Sequence, residues 1–120
     1  MSKKILIIDD EKDFVGVLQK ALERDYQVLT AFDGEEGLKK ALETKPDLVI
    51  CDVVMPKLTG TELLNVVRTT FKTKDIPFIM LTAVDEADIT QRAADLAVTK
   101  YVLKPVVLEE LLPLVKKYAK

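Results

Sequence analysis

Five short apolar runs punctuate the chain, at Lys4 to Asp9, Gln27 to Ala31, Leu48 to Cys51, Pro77 to Leu81 and Lys100 to Leu103. In three of them, Ile5-Leu6-Ile7-Ile8, Leu48-Val49-Ile50-Cys51 and Phe78-Ile79-Met80-Leu81, the apolar residues follow one another without alternation. A parallel strand covered on both faces presents this pattern. The longer stretches between carry apolar residues at helical spacing. Phe14, Val17, Leu18, Ala21 and Leu22 make one i, i+3, i+4 stripe, which predicts that Val15 lies off the buried side. Leu38, Ala41 and Leu42 mark a second helix, closed by Pro46 after an Asp33-Gly34 turn signal. Leu63, Leu64, Val67 and Phe71 mark a third, for which Thr61 is the expected cap. A fourth, Asp85 to Leu96, offers only Ile89, Leu96 and several alanines, so it is expected to open most easily. The last helix contains Pro113, which removes one intrahelical hydrogen bond.

Strand and helix alternating five times predict an α/β fold with one five-stranded parallel sheet and helices on both faces. The expected strand order is the flavodoxin-like 2-1-3-4-5. Residues 1–120 make one domain, since no linker, repeat or low-complexity segment divides them. Ligands of such sheets bind beyond the carboxyl ends of the strands, near the switch point between strands 1 and 3.

Composition narrows the chemistry. With 48% apolar and 32% charged residues, the 120-residue chain can build a real core. No apolar run approaches the ~18 residues of a membrane span, and the N-terminal run is too short for a secretion signal. The single cysteine, Cys51, forms no internal disulfide, which points to a reducing, cytoplasmic setting and a buried strand residue. There is no histidine, which excludes His-ligated metals and Ser-His-Asp or Cys-His catalysis, and Ser2 is the only serine. Net charge is −2 without a basic stripe, so neither nucleic acid nor membrane is an expected partner. The chemistry must come from Asp, Glu, Lys, Thr or Tyr.

Those residue types gather at the strand ends. Strand 1 ends in Asp9-Asp10, strand 3 in Asp52, strand 4 in Thr82 and strand 5 in Lys104-Pro105. The predicted topology brings three carboxylates, a hydroxyl and an ammonium into one crevice. Crowded carboxylates repel one another, and a hard divalent cation such as Mg²⁺ relieves them. A carboxylate can attack phosphorus to give an acyl phosphate, while Thr82 and Lys104 hold the transferred oxygens.

The set Asp9-Asp10, Asp52-Val-Val-Met-Pro56 with Gly60, Leu81-Thr82-Ala83 and Lys104-Pro105 resembles the receiver domain of two-component response regulators, as in single-domain chemotaxis regulators. The resemblance covers essentially the whole chain. It implies that Asp52 accepts a phosphoryl group from a histidine kinase, a histidine phosphotransfer protein or a small acyl-phosphate donor. It further implies Mg²⁺, or Mn²⁺ in its place, held by Asp10 directly, Asp9 through water, Asp52 and the backbone carbonyl of Val54. Thr82 and Lys104 would bind the phosphoryl group, and the Lys104-Pro105 peptide would be cis. Tyr101 would turn inward on activation and change the face formed by the fourth helix, strand 5 and the last helix. Such a chain is a switch rather than an enzyme, its only chemistry being phosphoryl transfer onto itself and slow autodephosphorylation. It would be a monomer able to dimerise on phosphorylation, and a chain ending with the fifth helix suggests a stand-alone regulator.

The sequence departs from the family pattern in the Gly-less stretch Leu96 to Lys100, in Val106 where an aromatic is frequent, and in Pro113. Two rivals share parts of the chemistry. A haloacid-dehalogenase-type phosphatase needs an acid two residues after the nucleophile, where this chain has Val54. A flavodoxin needs a phosphate loop after strand 1, where Asp9-Asp10 would repel the phosphate. A degenerate receiver that binds partners without phosphate is a third reading. Val54 and Val84, two residues after Asp52 and Thr82, would flank the path of an attacking water and predict slow hydrolysis. Kinase docking is expected on the exposed edge of the first helix, at Val15, and on the loop after strand 5.

Overall fold

The computed structural model describes residues 2–83 and 98–119. The elements run β1 (Lys4–Ile8), α1 (Lys12–Leu22), β2 (Gln27–Ala31), α2 (Gly34–Thr44), β3 (Leu48–Asp52), α3 (Gly60–Thr69), β4 (Phe78–Thr82), β5 (Lys100–Leu103) and α4 (Leu108–Tyr118). The strands form one parallel sheet in the order β2-β1-β3-β4-β5, as the sequence predicts. The predicted helix at Asp85 to Leu96 lies outside the described residues.

The unbroken apolar runs are divided between two cores by the two-residue period of a strand. Leu6, Ile8, Val49, Cys51, Phe78 and Met80 point to one face, where α2 and α3 supply Ala41, Leu63, Leu64 and Val67. Ile5, Ile7, Leu48, Ile50, Ile79 and Leu81 point to the other, against Val15, Leu18 and Leu22 of α1 and Leu111 and Val115 of α4. β3 and β4 are buried at every position, so the residues that close them, Asp52 and Thr82, are buried as well.

Three expectations about helix faces need correction. Val15 is buried and Val17 is 55% exposed, the reverse of the predicted stripe. Both lie within helical reach of Phe14 and Leu18, so periodicity defines a line but not the side on which it widens. The sheet decides, because Val15 packs in the same core as Ile5 and Ile7. Phe71 is 83% exposed because α3 ends at Thr69. The hydroxyls of Thr69, Thr70 and Thr73 donate to carbonyls of the last turn, at Asn65, Val66 and Val67, and offer the backbone an exit from the helix. The cap of α3 is Thr59 rather than Thr61. Its side chain accepts from the Glu62 amide while the Glu62 carboxylate accepts from the Thr59 amide, a reciprocal capping box.

Pro113 does lie within α4. It sits on the exposed side, where the carbonyl it leaves without an amide can meet water. In the stretch before β5, Thr99 accepts from the Phe78 amide and Val98 packs on the core. Neither residue takes a positive φ.

Candidate functional site

β1, β3, β4 and β5 are parallel and end on one side of the sheet, where Asp9 and Lys104 follow β1 and β5 and Asp52 and Thr82 close β3 and β4. Asp9 follows β1 and is fully buried. Its Oδ1 accepts from the Glu11 amide at 2.9 Å, which fixes the carboxylate at the start of α1. Asp10 beside it is exposed. Asp52 is the last residue of β3 and is 6% exposed. One carboxylate oxygen from each of Asp9, Asp10 and Asp52 lies within 4.8 Å of the others.

The loop after Asp52 returns tightly onto the strand. The Gly60 amide donates to the Val53 carbonyl at 2.8 Å, and a Cβ on Gly60 would stand 2.2 Å from the Asp52 carbonyl oxygen. Only glycine permits this approach. Between them, the Leu58 amide donates to the Pro56 carbonyl across Lys57, whose φ is 72°. Val54 is 70% exposed at the mouth of the site, and its amide favours the charged form of the Asp52 carboxyl.

Thr82 closes β4 and is buried. Its carbonyl accepts from the Lys104 amide at 2.8 Å, which ties the end of β5 to the end of β4. Ala83 follows it, exposed, while Val84 lies outside the described residues. The Lys104–Pro105 peptide is cis. Tyr101 pairs with Met80 in the sheet register and is half-buried against the α2–α3 core.

The Lys104 ammonium lies 3.1 Å from Glu11 Oε1, 3.2 Å from Asp52 Oδ2 and 3.4 Å from Asp9 Oδ2. Glu11 is the residue that sequence reasoning missed. Its signal was available, as a third acid directly after Asp9-Asp10. Asp9 Oδ2 is buried and, although close to the ammonium, makes no aligned hydrogen bond.

Burial raises the pKa of Asp9 above the ordinary carboxylate range, with the Asp52 charge adding to it and the Glu11 amide and Lys104 opposing it. Burial likewise raises Asp52, against the pull of Lys104 and the Val54 amide. For Lys104 burial acts downward, but the carboxylates of Glu11, Asp9 and Asp52 outweigh it and hold the ammonium charged. Burial thus disfavours the charged form of both carboxylates even beside a lysine. An orphaned buried oxygen and three hard oxygen donors fit a small divalent cation. Cys51, one residue before Asp52, is raised by burial and behaves as a packed apolar side chain.

Residues 5–116 match the family profile described as the response regulator receiver domain. The chain belongs to this family. Among relatives of the receiver domain, the alkaline phosphatase synthesis transcriptional regulatory protein PhoP of Bacillus subtilis is 46% identical over 106 residues. That match covers 88% of this chain but 43% of PhoP, so the chain spans less than half the regulator's length. The chemotaxis response regulator CheY4 of Vibrio cholerae superposes with a TM-score of 0.90 at 32% identity, covering 98% of this chain and 99% of its own. The receiver domain of a Pseudomonas aeruginosa sensor histidine kinase shares the fold at 22% identity, with a TM-score of 0.87 over 99% and 98% of the two chains. That structure is described with a magnesium ion in its active-site cleft. Receiver domains are signalling modules of two-component systems, and this chain is one.

Proposed function

We propose that the whole chain, residues 1–120, is a phosphoacceptor switch in a two-component phosphorelay, with Asp52 as the acceptor. The observation that carries this reading is the placement of Asp52: buried at the end of the central strand, 3.2 Å from the Lys104 ammonium and grouped with Asp9 and Asp10. A carboxylate oxygen of Asp52 attacks phosphorus, and an acyl phosphate O–P bond forms as the donor's bond to phosphorus breaks. The departing group is the imidazole of a phosphohistidine, which takes up a proton, or acetate when acetyl phosphate is the donor. Lys104 and Thr82 hold the oxygens of the transferred group, which develop negative charge that these donors neutralise.

Asp9, Asp10, Asp52 and the Val54 carbonyl would hold Mg²⁺, or Mn²⁺ in its place, which supplies charge neutralisation for the carboxylates and the phosphoryl oxygens. Supporting this are the orphaned Asp9 oxygen and the raised carboxylates described above. The donor is a histidine kinase or a histidine phosphotransfer protein, and the setting is the cytoplasm. Among the described residues no helix is long and apolar enough to cross a membrane. Tyr101, on β5 and three residues before Lys104, would report the change. The readout is then the face formed by the fourth helix expected at Asp85 to Leu96, β5 and α4, through a monomer that can dimerise when phosphorylated.

The deciding experiment is incubation with acetyl phosphate and Mg²⁺, followed by intact mass measurement. The native chain should gain one phosphoryl group, and Asp52→Asn should gain none. Equal labelling of the Asn variant would place the acceptor elsewhere.

A further inference from the structure

Glu11 stands at the N-cap of α1, yet its side chain makes no capping hydrogen bond to its own helix. The carboxylate instead reaches a residue 93 positions away and accepts from Lys104 Nζ at 3.1 Å, the shortest of that ammonium's three carboxylate contacts. The three partners are not equivalent. Asp9 and Asp52 lie beneath the ammonium, with side chains 0% and 9% exposed, whereas the Glu11 side chain is 64% exposed and lies toward solvent. Lys104 is therefore suspended between an inner pair of carboxylates and an outer one. Glu11, Lys104, Phe14, Pro105 and Val106 line an open groove of about 490 Å³ at this entrance.

A phosphoryl group arriving at Asp52 brings oxygens that need the same ammonium. Glu11 competes with them for it. We propose that Glu11 is a positioning residue that draws the Lys104 ammonium to the solvent side of the site and thereby slows its transfer to the phosphoryl oxygens. The inference rests on the receiver reading, with Asp52 as acceptor and Lys104 as phosphoryl ligand. It assigns Glu11 a restraining role: it governs how fast the switch is charged and leaves the identity of the acceptor unchanged.

The test compares native chain, Glu11→Gln and Glu11→Asp, each in the native and the Lys104→Met background. Two readouts are used at fixed Mg²⁺: the rate of labelling by acetyl phosphate and the dissociation constant for beryllofluoride. Glu11→Gln should label at least threefold faster and bind beryllofluoride at least threefold more tightly. Glu11→Asp keeps the charge but withdraws it by one methylene, so it should show a smaller change in the same direction. In the Lys104→Met background both effects should vanish, because no ammonium remains to be held. An unchanged or slower Glu11→Gln, with native labelling intact, overturns the role of Glu11 alone. An increase that persists in the Lys104→Met background also overturns it, since the charge of Glu11 would then act on the donor directly. Absence of labelling and of beryllofluoride binding in the native chain would overturn the receiver reading itself.

Discussion

Gly34 and Leu58 touch through their backbones: a Cβ on Gly34 would lie 1.9 Å from the Leu58 carbonyl oxygen. The contact joins the first residue of α2 to the loop that follows Asp52. Beside it, Lys57 Nζ lies 3.6 Å from Asp33 Oδ2, across the same gap. Gly34→Ala must displace that loop, at a cost of about 1–3 kcal/mol by comparison with other overpacked sites. A melting temperature several degrees below native is expected, together with slower acetyl phosphate labelling, because the displaced loop carries the Val54 amide away from Asp52. A melting temperature equal to native would contradict the contact.

Asp33 also gives a pH dependence. Its carboxylate accepts from the Glu36 amide, and this bond holds its pKa below the ordinary carboxylate range, with Lys57 assisting against a smaller opposing effect of burial. A carboxyl depressed in the folded state binds its proton less readily there than in the unfolded chain. Its contribution is complete above the unfolded value of about 3.9 and is lost as pH falls through the lower folded value. Asp33→Asn caps the helix without titrating. The stability advantage of the native chain over this variant should be constant near pH 6 and shrink below about pH 4, read as urea midpoints. An advantage that grows on acidification would reverse the assignment.

Val15 and Val17 separate packing from recognition. Val15→Ala should cost about 2 kcal/mol, since it deletes fully buried methyl groups. Val17→Ala should change stability by less than about 0.5 kcal/mol. With Val15 buried, the expectation of an apolar docking residue on α1 passes to the exposed Val17, one helical turn from Phe14 of the groove. Val17→Glu should slow phosphoryl transfer from the cognate kinase and leave acetyl phosphate labelling intact. Equal loss with both donors would point to damage within the fold.

Millimolar Mg²⁺ should raise the melting temperature of the native chain. The expected gain is about 2.7 kcal/mol when the ion exceeds its Kd a hundredfold. Asp10→Asn should lose most of this gain, because it removes the exposed member of the three-carboxylate group. Calorimetric titration of both proteins checks the same point, and an Asn variant that binds the ion as well as the native chain would exclude Asp10 as a ligand.

Phosphorylated Asp52 should be long-lived. Val54, apolar and 70% exposed, stands at the entrance and cannot orient a water for attack on phosphorus. Val54→Asn should shorten the lifetime severalfold at fixed Mg²⁺, more so when combined with Val84→Glu. A native lifetime of seconds, followed by mass spectrometry after donor removal, would refute this.

Much of this protein is determined locally. Ile5 to Ile8, Leu48 to Cys51 and Phe78 to Leu81 are too short for buried helices and alternate with amphipathic stretches, so they read as strands covered on both faces in a parallel arrangement without coordinates. Because ligands of such sheets gather at the carboxyl ends, Asp9, Asp10, Asp52, Thr82 and Lys104 could be singled out from position alone. The Thr59-x-x-Glu62 capping box was equally legible, although Thr61 drew the expectation.

Tertiary structure decided what periodicity leaves degenerate. In an 11-residue helix, Val15 and Val17 fit the line through Phe14 and Leu18 equally well, and only the angle at which α1 meets Ile5 and Ile7 buries one and exposes the other. Phe71 continues the α3 stripe in sequence, but the threonine hydroxyls end the helix before it. Glu11 shows the same limit within the site. Nothing local joins it to Lys104, since an ion pair across 93 residues exists only once β1 and β5 lie in one sheet with their ends on the same side. Chain periodicity specifies which residues share an element, whereas the sharing of one ammonium by three carboxylates depends on distances that only the assembled sheet defines.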